Sequence, residues 1–270
     1  MLRLRSLPET SEIRSQLSGP IALVPTMGAL HEGHRTLIRS GRETVGPAGS
    51  VLVSIFVNPL QFDRSSDLAI CEDLGVDASF YPEPEEFYLS DHSLTVSESL
   101  LSRHLCGATR PGHFDGVCTV VLKLFNFLRP DHALFGKKDY QQLAIIRRMV
   151  RDLDVPVQVH GIETVRESDG LALSSRNLNL TPEHRADAPR LRRALLAARD
   201  LSVTGEQRPG QFLETARHHL LDNAPADFSI DYLELVDRET LQPLATGNLP
   251  ALLAAAAFFG EVRLIDNIEI

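Results

Sequence analysis

Short continuous apolar runs punctuate the first half of the chain, at Ile21–Val24, Val51–Val57, His132–Phe135 and Val155–Ile162. Runs of this length predict strands buried on both faces. Between them the period becomes helical. Gly116–Leu128 sets Val117, Val120, Val121, Leu124, Phe125 and Leu128 along one face, with Pro130 as the stop, because proline lacks the N–H that the next turn needs. Tyr140–Leu153 repeats the pattern through Leu143, Ile145, Ile146, Val150 and Leu153. Strands alternating with helices predict an α/β fold, a mainly parallel sheet wrapped on both faces.

After about Asn179 the texture changes. Thr181 and Pro182 suit the cap and first turn of a helix that continues through "EHRADAPRLRRALLAARDL". "GEQRPGQ" reads as a loop and Gln211–Leu221 as a further helix. "FSIDYLELVD" and "ALLAAAAFFGEVRLIDNIEI" read as strands, the latter two joined by a turn at Gly260, with the Ala254–Ala257 run inside a buried strand. This predicts a smaller C-terminal α+β domain, with a boundary that gives 1–175 and 176–270.

Composition narrows the classes. At 270 residues with 43% hydrophobic and 23% charged positions, the chain can bury one large core or two modest ones. A formal charge of −9 argues against a nucleic-acid surface, which needs clustered Lys and Arg, though not against a small basic nucleotide pocket. Cys71, Cys106 and Cys118 have no zinc-ligand spacing and suit a reducing cytosol. The N-terminus lacks the apolar region of a secretory signal. The longest apolar run, near Leu249–Gly260, falls short of the roughly 20 residues that cross a bilayer. A cytoplasmic protein is expected, with no membrane and no nucleic-acid partner.

Chemistry concentrates where predicted strands give way to helices. In "PTMGALHEGH", Pro25–His34, Gly28 permits a sharp turn and Gly33 a close phosphate approach, while His31 and His34 share one side of the first helical turn. Helix N-termini at the carboxyl edge of a parallel sheet attract phosphate, so this block reads as a triphosphate site. A metal pair and structural caps are the competing readings. Neither a Walker A pattern nor GxGxxG occurs.

Gly136, Lys137, Lys138 and Asp139 mark a second strand-to-helix junction. Its lysines could neutralise phosphate, although alone they would read as a solvated turn. Gln141 and Gln142 then open the helix, where an inward amide can hold a hydroxyl or carboxylate. Ser174, Ser175 and Arg176 offer hydroxyls and a guanidinium fork suited to pyrophosphate, or equally a capped turn. Asn58 and Gln61 close a strand and suit a small polar substrate, or, for Asn58, a turn before Pro59.

Together "PTMGALHEGH", "SIFVNPLQF", "RPGHFDGV", "FGKKDYQQL", "DGLALSSRN" and "RLIDN" resemble the pantoate–β-alanine ligase family of the HxGH nucleotidyltransferases, along nearly the whole chain. The resemblance implies a Rossmann-like N-terminal domain, a smaller C-terminal domain that closes over the site, and a homodimer. It implies condensation of pantoate with β-alanine, using ATP and Mg²⁺ and releasing AMP and pyrophosphate through an adenylate. By resemblance, ATP lies along Met27, Gly28, Ala29, Leu30, His31, Glu32, Gly33 and His34. It continues at Gly136, Lys137, Lys138 and Asp139, the Val165 backbone, and Leu173, Ser174, Ser175 and Arg176. Gln61 and Gln142 match the pantoate-binding glutamines, and Gln61 also faces β-alanine. His34 matches the histidine named as catalytic, with His31 and Lys138 beside it as charge stabilisers.

Three departures stand out from the family pattern. Lys137 replaces a common Glu, Leu173 a frequent Met, and the Phe62–Gly75 segment is short where relatives usually carry a longer one that walls the site. The rival readings are a nucleotidyltransferase acting on a phosphate and a non-catalytic nucleotide-binding regulator. The two glutamines disfavour the first, since a partner phosphate would call for more cations.

Overall fold

The structure, a computed structural model, describes residues 1–6, 13–56, 64–203, 205, 208–245 and 250–270. Two compact units share the chain: Met1–Ser97 with Asp115–Lys137 and Ile146–Glu163, and Glu98–Phe114 with Lys138–Ile145 and Thr164–Ile270.

The first unit holds a six-stranded sheet of β1 (Leu2–Leu4), β2 (Ile21–Thr26), β3 (Ser50–Ile55), β4 (Ala78–Phe80), β5 (His132–Gly136) and β6 (Gln158–Ile162). Every pair is parallel, in the order β1-β4-β3-β2-β5-β6. Near-continuous burial of β2 and β3 explains their unbroken apolar sequence. Their side chains meet Ile38 and Val45 of α1 (Glu32–Val45) and Leu68 and Cys71 of α2 (Arg64–Asp73) in one core. From β2 the chain proceeds outward to β3 and β4, whereas β5 and β6 lie on its other side. The strand order therefore reverses between β2 and β5, and their carboxyl ends flank the crevice where ligands of such sheets collect.

Two long helices, α3 (His113–Leu128) and α4 (Tyr140–Asp152), contribute residues to both units. The second unit is built on an antiparallel sheet of β7 (Phe228–Asp237), β8 (Ala251–Phe259) and β9 (Val262–Glu269), with β8 central. Its core joins this sheet to α5 (Arg190–Val203) and α6 (Pro209–Leu221), through Leu191, Leu195, Phe212 and Leu220. Ala254–Ala257 is indeed buried strand.

Local differences from the sequence reading have local causes. The helix expected from Thr181 is two helices, Pro182–Asp187 and α5, interrupted at Pro189, which has no N–H to continue the ladder. Thr181 does cap, accepting the His184 N–H at 3.2 Å. The strand expected from Val155 starts at Gln158, just past Pro156. Among the described residues no helix is long and apolar enough to cross a membrane. All three cysteines are free and buried.

Candidate active site

At the end of β2 the chain enters the left-handed region twice, at Gly28 (φ 81°) and Ala29 (φ 52°). Glycine does this freely, whereas alanine carries a steric cost that its surroundings must offset. The compensation comes from Asp67 on α2. Its carboxylate, 1% exposed, accepts the Ala29 N–H at 2.9 Å and the Leu30 N–H at 2.8 Å. Leu30 is buried in the core and Met27 is 79% exposed.

The two histidine rings then cap the start of α1. His31 Nδ1 accepts the Gly33 N–H at 3.1 Å, and His34 Nδ1 accepts the His31 N–H at 3.2 Å. Their ring centroids are 4.2 Å apart. This is a capping box in which imidazoles replace the usual hydroxyl and carboxylate. Gly33 has its own reason: a Cβ there would sit 2.9 Å from His31 Cε1. With both Nδ1 atoms accepting, hydrogen-bond logic puts the neutral-ring proton of each on Nε2. Capping, one of the competing sequence readings, is therefore real, and each ring meets it with Nδ1 alone. The Glu32 carboxylate is engaged by Arg39 and Arg35.

At the end of β5, Gly136 leads into Lys137, whose ammonium pairs with Glu163. In the second unit, Lys138 Nζ lies 3.5 Å from Asp139. The inward glutamine of α4 is Gln141, 5% exposed, whose amide donates to the carbonyls of Leu101 (2.8 Å) and His104 (2.7 Å). Gln142 is half-buried beside it. Val165 and Leu173 meet across a tight reversal, the Leu173 N–H donating to the Val165 carbonyl at 3.0 Å. Ser174 caps the short turn Ser175–Asn179 by accepting the Arg176 N–H at 3.3 Å. Lys138, Ser174 and Arg176 line one small cavity together with Arg263. Asn58 and Gln61 lie outside the described residues, as does Phe62.

A family profile described as pantoate-beta-alanine ligase matches residues 3–269. The chain belongs to the pantoate-beta-alanine ligase family. A pantothenate synthetase of Akkermansia muciniphila is 54% identical over 264 residues, covering 93% of this chain and 92% of that protein. The crystal structure of pantothenate synthetase from Thermus thermophilus superposes with a TM-score of 0.90 at 44% identity, covering 100% and 99% of the two chains. A pantoate-beta-alanine ligase from Francisella tularensis, complexed with beta-gamma ATP and beta-alanine, gives a TM-score of 0.77 at 29% identity, covering 100% and 97%. The parallel sheet with its smaller antiparallel partner is thus the fold of this ligase family.

Within that framework, "RLIDN" gains a structural meaning that the sequence reading left blank. On β9, alternate residues Leu264, Asp266 and Ile268 are buried. A carboxylate in an otherwise apolar row demands a partner. Arg166 supplies it as a fork, at 2.7 and 2.8 Å, with Asp266 only 3% exposed. Asn267 donates to the Lys138 carbonyl at 2.9 Å, fixing the backbone of that lysine. Arg263 pairs with Asp231 at 2.6 Å, and its carbonyl accepts from Arg176 at 3.3 Å. The motif's polar residues therefore position the Lys138 and Val165–Arg176 segments of this pantoate-beta-alanine ligase family member. The alternation itself was the available signal.

Proposed function

We propose that this ligase joins pantoate to β-alanine at the expense of ATP, releasing AMP and pyrophosphate through a pantoyl adenylate. The observation that carries the reading is the His31–His34 cap, which sets two imidazoles at a helix N-terminus where β2 ends, beside the switch point of a parallel sheet, so that imidazole and backbone N–H groups serve there as donors. Such donors stabilise charge that develops on phosphoryl oxygens. The Francisella complex with beta-gamma ATP and beta-alanine supports it.

In the first step a pantoate carboxylate oxygen attacks the α-phosphorus. The bond from phosphorus to the β-phosphate bridging oxygen breaks, and pyrophosphate leaves with the electron pair. His31, His34 and Lys138 are assigned to the phosphoryl oxygens, His34 acting as an electrostatic donor. The β-alanine amine next attacks the acyl carbon, AMP leaves and the amine loses a proton. ATP is assigned to Met27–His34, Gly136–Asp139, the Val165 backbone and Leu173–Arg176, pantoate to Gln61 and Gln142, and β-alanine to Gln61.

No group of three or more His, Cys, Asp or Glu suited to a metal occurs among the described residues. Mg²⁺ would be held chiefly through the phosphates of ATP, its usual mode, and would supply charge neutralisation there. The division of labour at 175/176, a homodimer and a cytoplasmic setting belong to the same proposal; buried free thiols fit the last.

The test is to incubate the chain with ATP, Mg²⁺ and pantoate, with and without β-alanine, and to follow AMP, pyrophosphate and pantothenate. Sustained AMP and pantothenate only with both acids supports the reading. AMP formation indifferent to pantoate would overturn it.

A further inference from the structure

The second unit carries an open cleft of about 670 Å³ whose walls include Arg110, Arg176 and Arg263, with Thr181, His184 and Glu261. Two of the three guanidiniums have protein partners. Arg263 is held by Asp231 and Arg176 by the Arg263 carbonyl. The Arg110 side chain forms no hydrogen bond to a described residue; burial first, then Arg176 and Arg263, hold its pKa below the ordinary value, with Asp139 opposing. Of the acids nearby, Asp231 is committed to Arg263 and Asp139 to Lys138, while Glu261 lines the cleft without an ion pair to any described residue. A partly buried guanidinium without a partner loses hydration without compensation, and its planar fork matches two oxygens of a phosphate or a carboxylate.

The platform under Arg110 is fixed. It follows the short helix Leu105–Thr109, where a Cβ on Gly107 would lie 1.9 Å from the Ser102 carbonyl oxygen. The Leu105 N–H donates to Glu234 at 3.2 Å, and the Thr109 hydroxyl to Asp231 at the same distance. Arg110 is thus presented to the cleft by backbone that has little freedom to move.

We propose that Arg110 acts with Arg176 to grip the pyrophosphate that leaves in adenylate formation. Each guanidinium fork spans two oxygens of one phosphate, so two forks match pyrophosphate and exceed what the single phosphate of AMP can use. Charge builds on the bridging oxygen as its bond to the α-phosphorus breaks, which is when this grip helps. The proposal rests on the adenylate reading above, and it gives a role to Arg110 of the "RPGHFDGV" block.

Two measurements on the full chain test it. Calorimetric titration with magnesium pyrophosphate should show binding at least tenfold weaker in Arg110→Gln than in wild type, partly restored in Arg110→Lys, with AMP affinity unchanged. Phenylglyoxal labelling of the wild type, mapped by mass spectrometry, needs no variant to fold; pyrophosphate should protect Arg110 where AMP does not. Pyrophosphate binding that is normal in Arg110→Gln, or that leaves Arg110 labelling unaltered, overturns the assignment of Arg110 alone. A wild-type chain that binds neither ATP nor pyrophosphate overturns the adenylate reading and this inference with it.

Discussion

Residues of the phosphate loop act in pairs. His31 and His34 each accept a backbone N–H of the shared turn and their rings lie 4.2 Å apart, so replacing either one removes a packing contact of the other. His34→Ala is expected to lower the rate of adenylate formation about 10²–10³-fold, the cost typical of removing one oxyanion-type donor. The His31→Ala/His34→Ala double variant should cost little more than the worse single, since groups acting as a unit are non-additive. Rapid-quench measurement of AMP and pyrophosphate in all three variants decides this, and multiplicative losses would count against a coupled pair. Asp67 supports the same loop from behind. Asp67→Ala strands two backbone donors in a turn already at positive φ. At about 1–3 kcal/mol for a buried unsatisfied donor, urea unfolding should show a clear loss of stability, and kcat/KM should fall at least tenfold. The histidines were legible because their spacing recurs on one helical face. Asp67 was not, since a single acid in a short helix has no periodic signature and its partners are 37 and 38 positions away.

At the scale of elements, apolar periodicity recovered the buried strands β2, β3 and β5 and the long helices α3 and α4. It passed over β1 and β4, whose three residues each are too few to show alternation and which exist only because a neighbouring edge supplies their hydrogen bonds. Gln61 was readable from its block but lies outside the described residues. The polar member of β9's buried row yields a sharper test. Asp266→Ala leaves Arg166 without its counter-charge in a largely buried place. Removing one partner of such a pair costs about 3–5 kcal/mol, so thermal unfolding should fall by several degrees or more. Asp266→Asn, which keeps an acceptor, should lose less. Equal stability of Asp266→Ala and wild type would show that the clamp contributes nothing.

For the molecule as a whole, titrating groups predict an acid-sensitive fold. Burial, with Arg110 for His113 and His132 for His160, depresses both imidazole pKa values. Their contribution is complete above the unfolded value of about 6.5 and is lost as pH falls below it. Asp131, held low by Arg14, and Asp169, held low by Arg185, add a second loss below about pH 4. Urea midpoints should therefore be flat from about pH 9 to 7, decline below about 6.5 and drop more steeply below about 4. A flat profile down to about pH 5 would refute the histidine contribution. The division of the chain also limits how it can be taken apart. Its path passes from one compact unit to the other at residues 97, 114, 137, 145 and 163, so neither unit is a contiguous gene segment. A piece ending at 175 would carry Arg166 without Asp266, and the complementary piece would carry Asn267 without the Lys138 carbonyl. A single crossover between relatives keeps these contacts only where both parents carry the same residues at these positions.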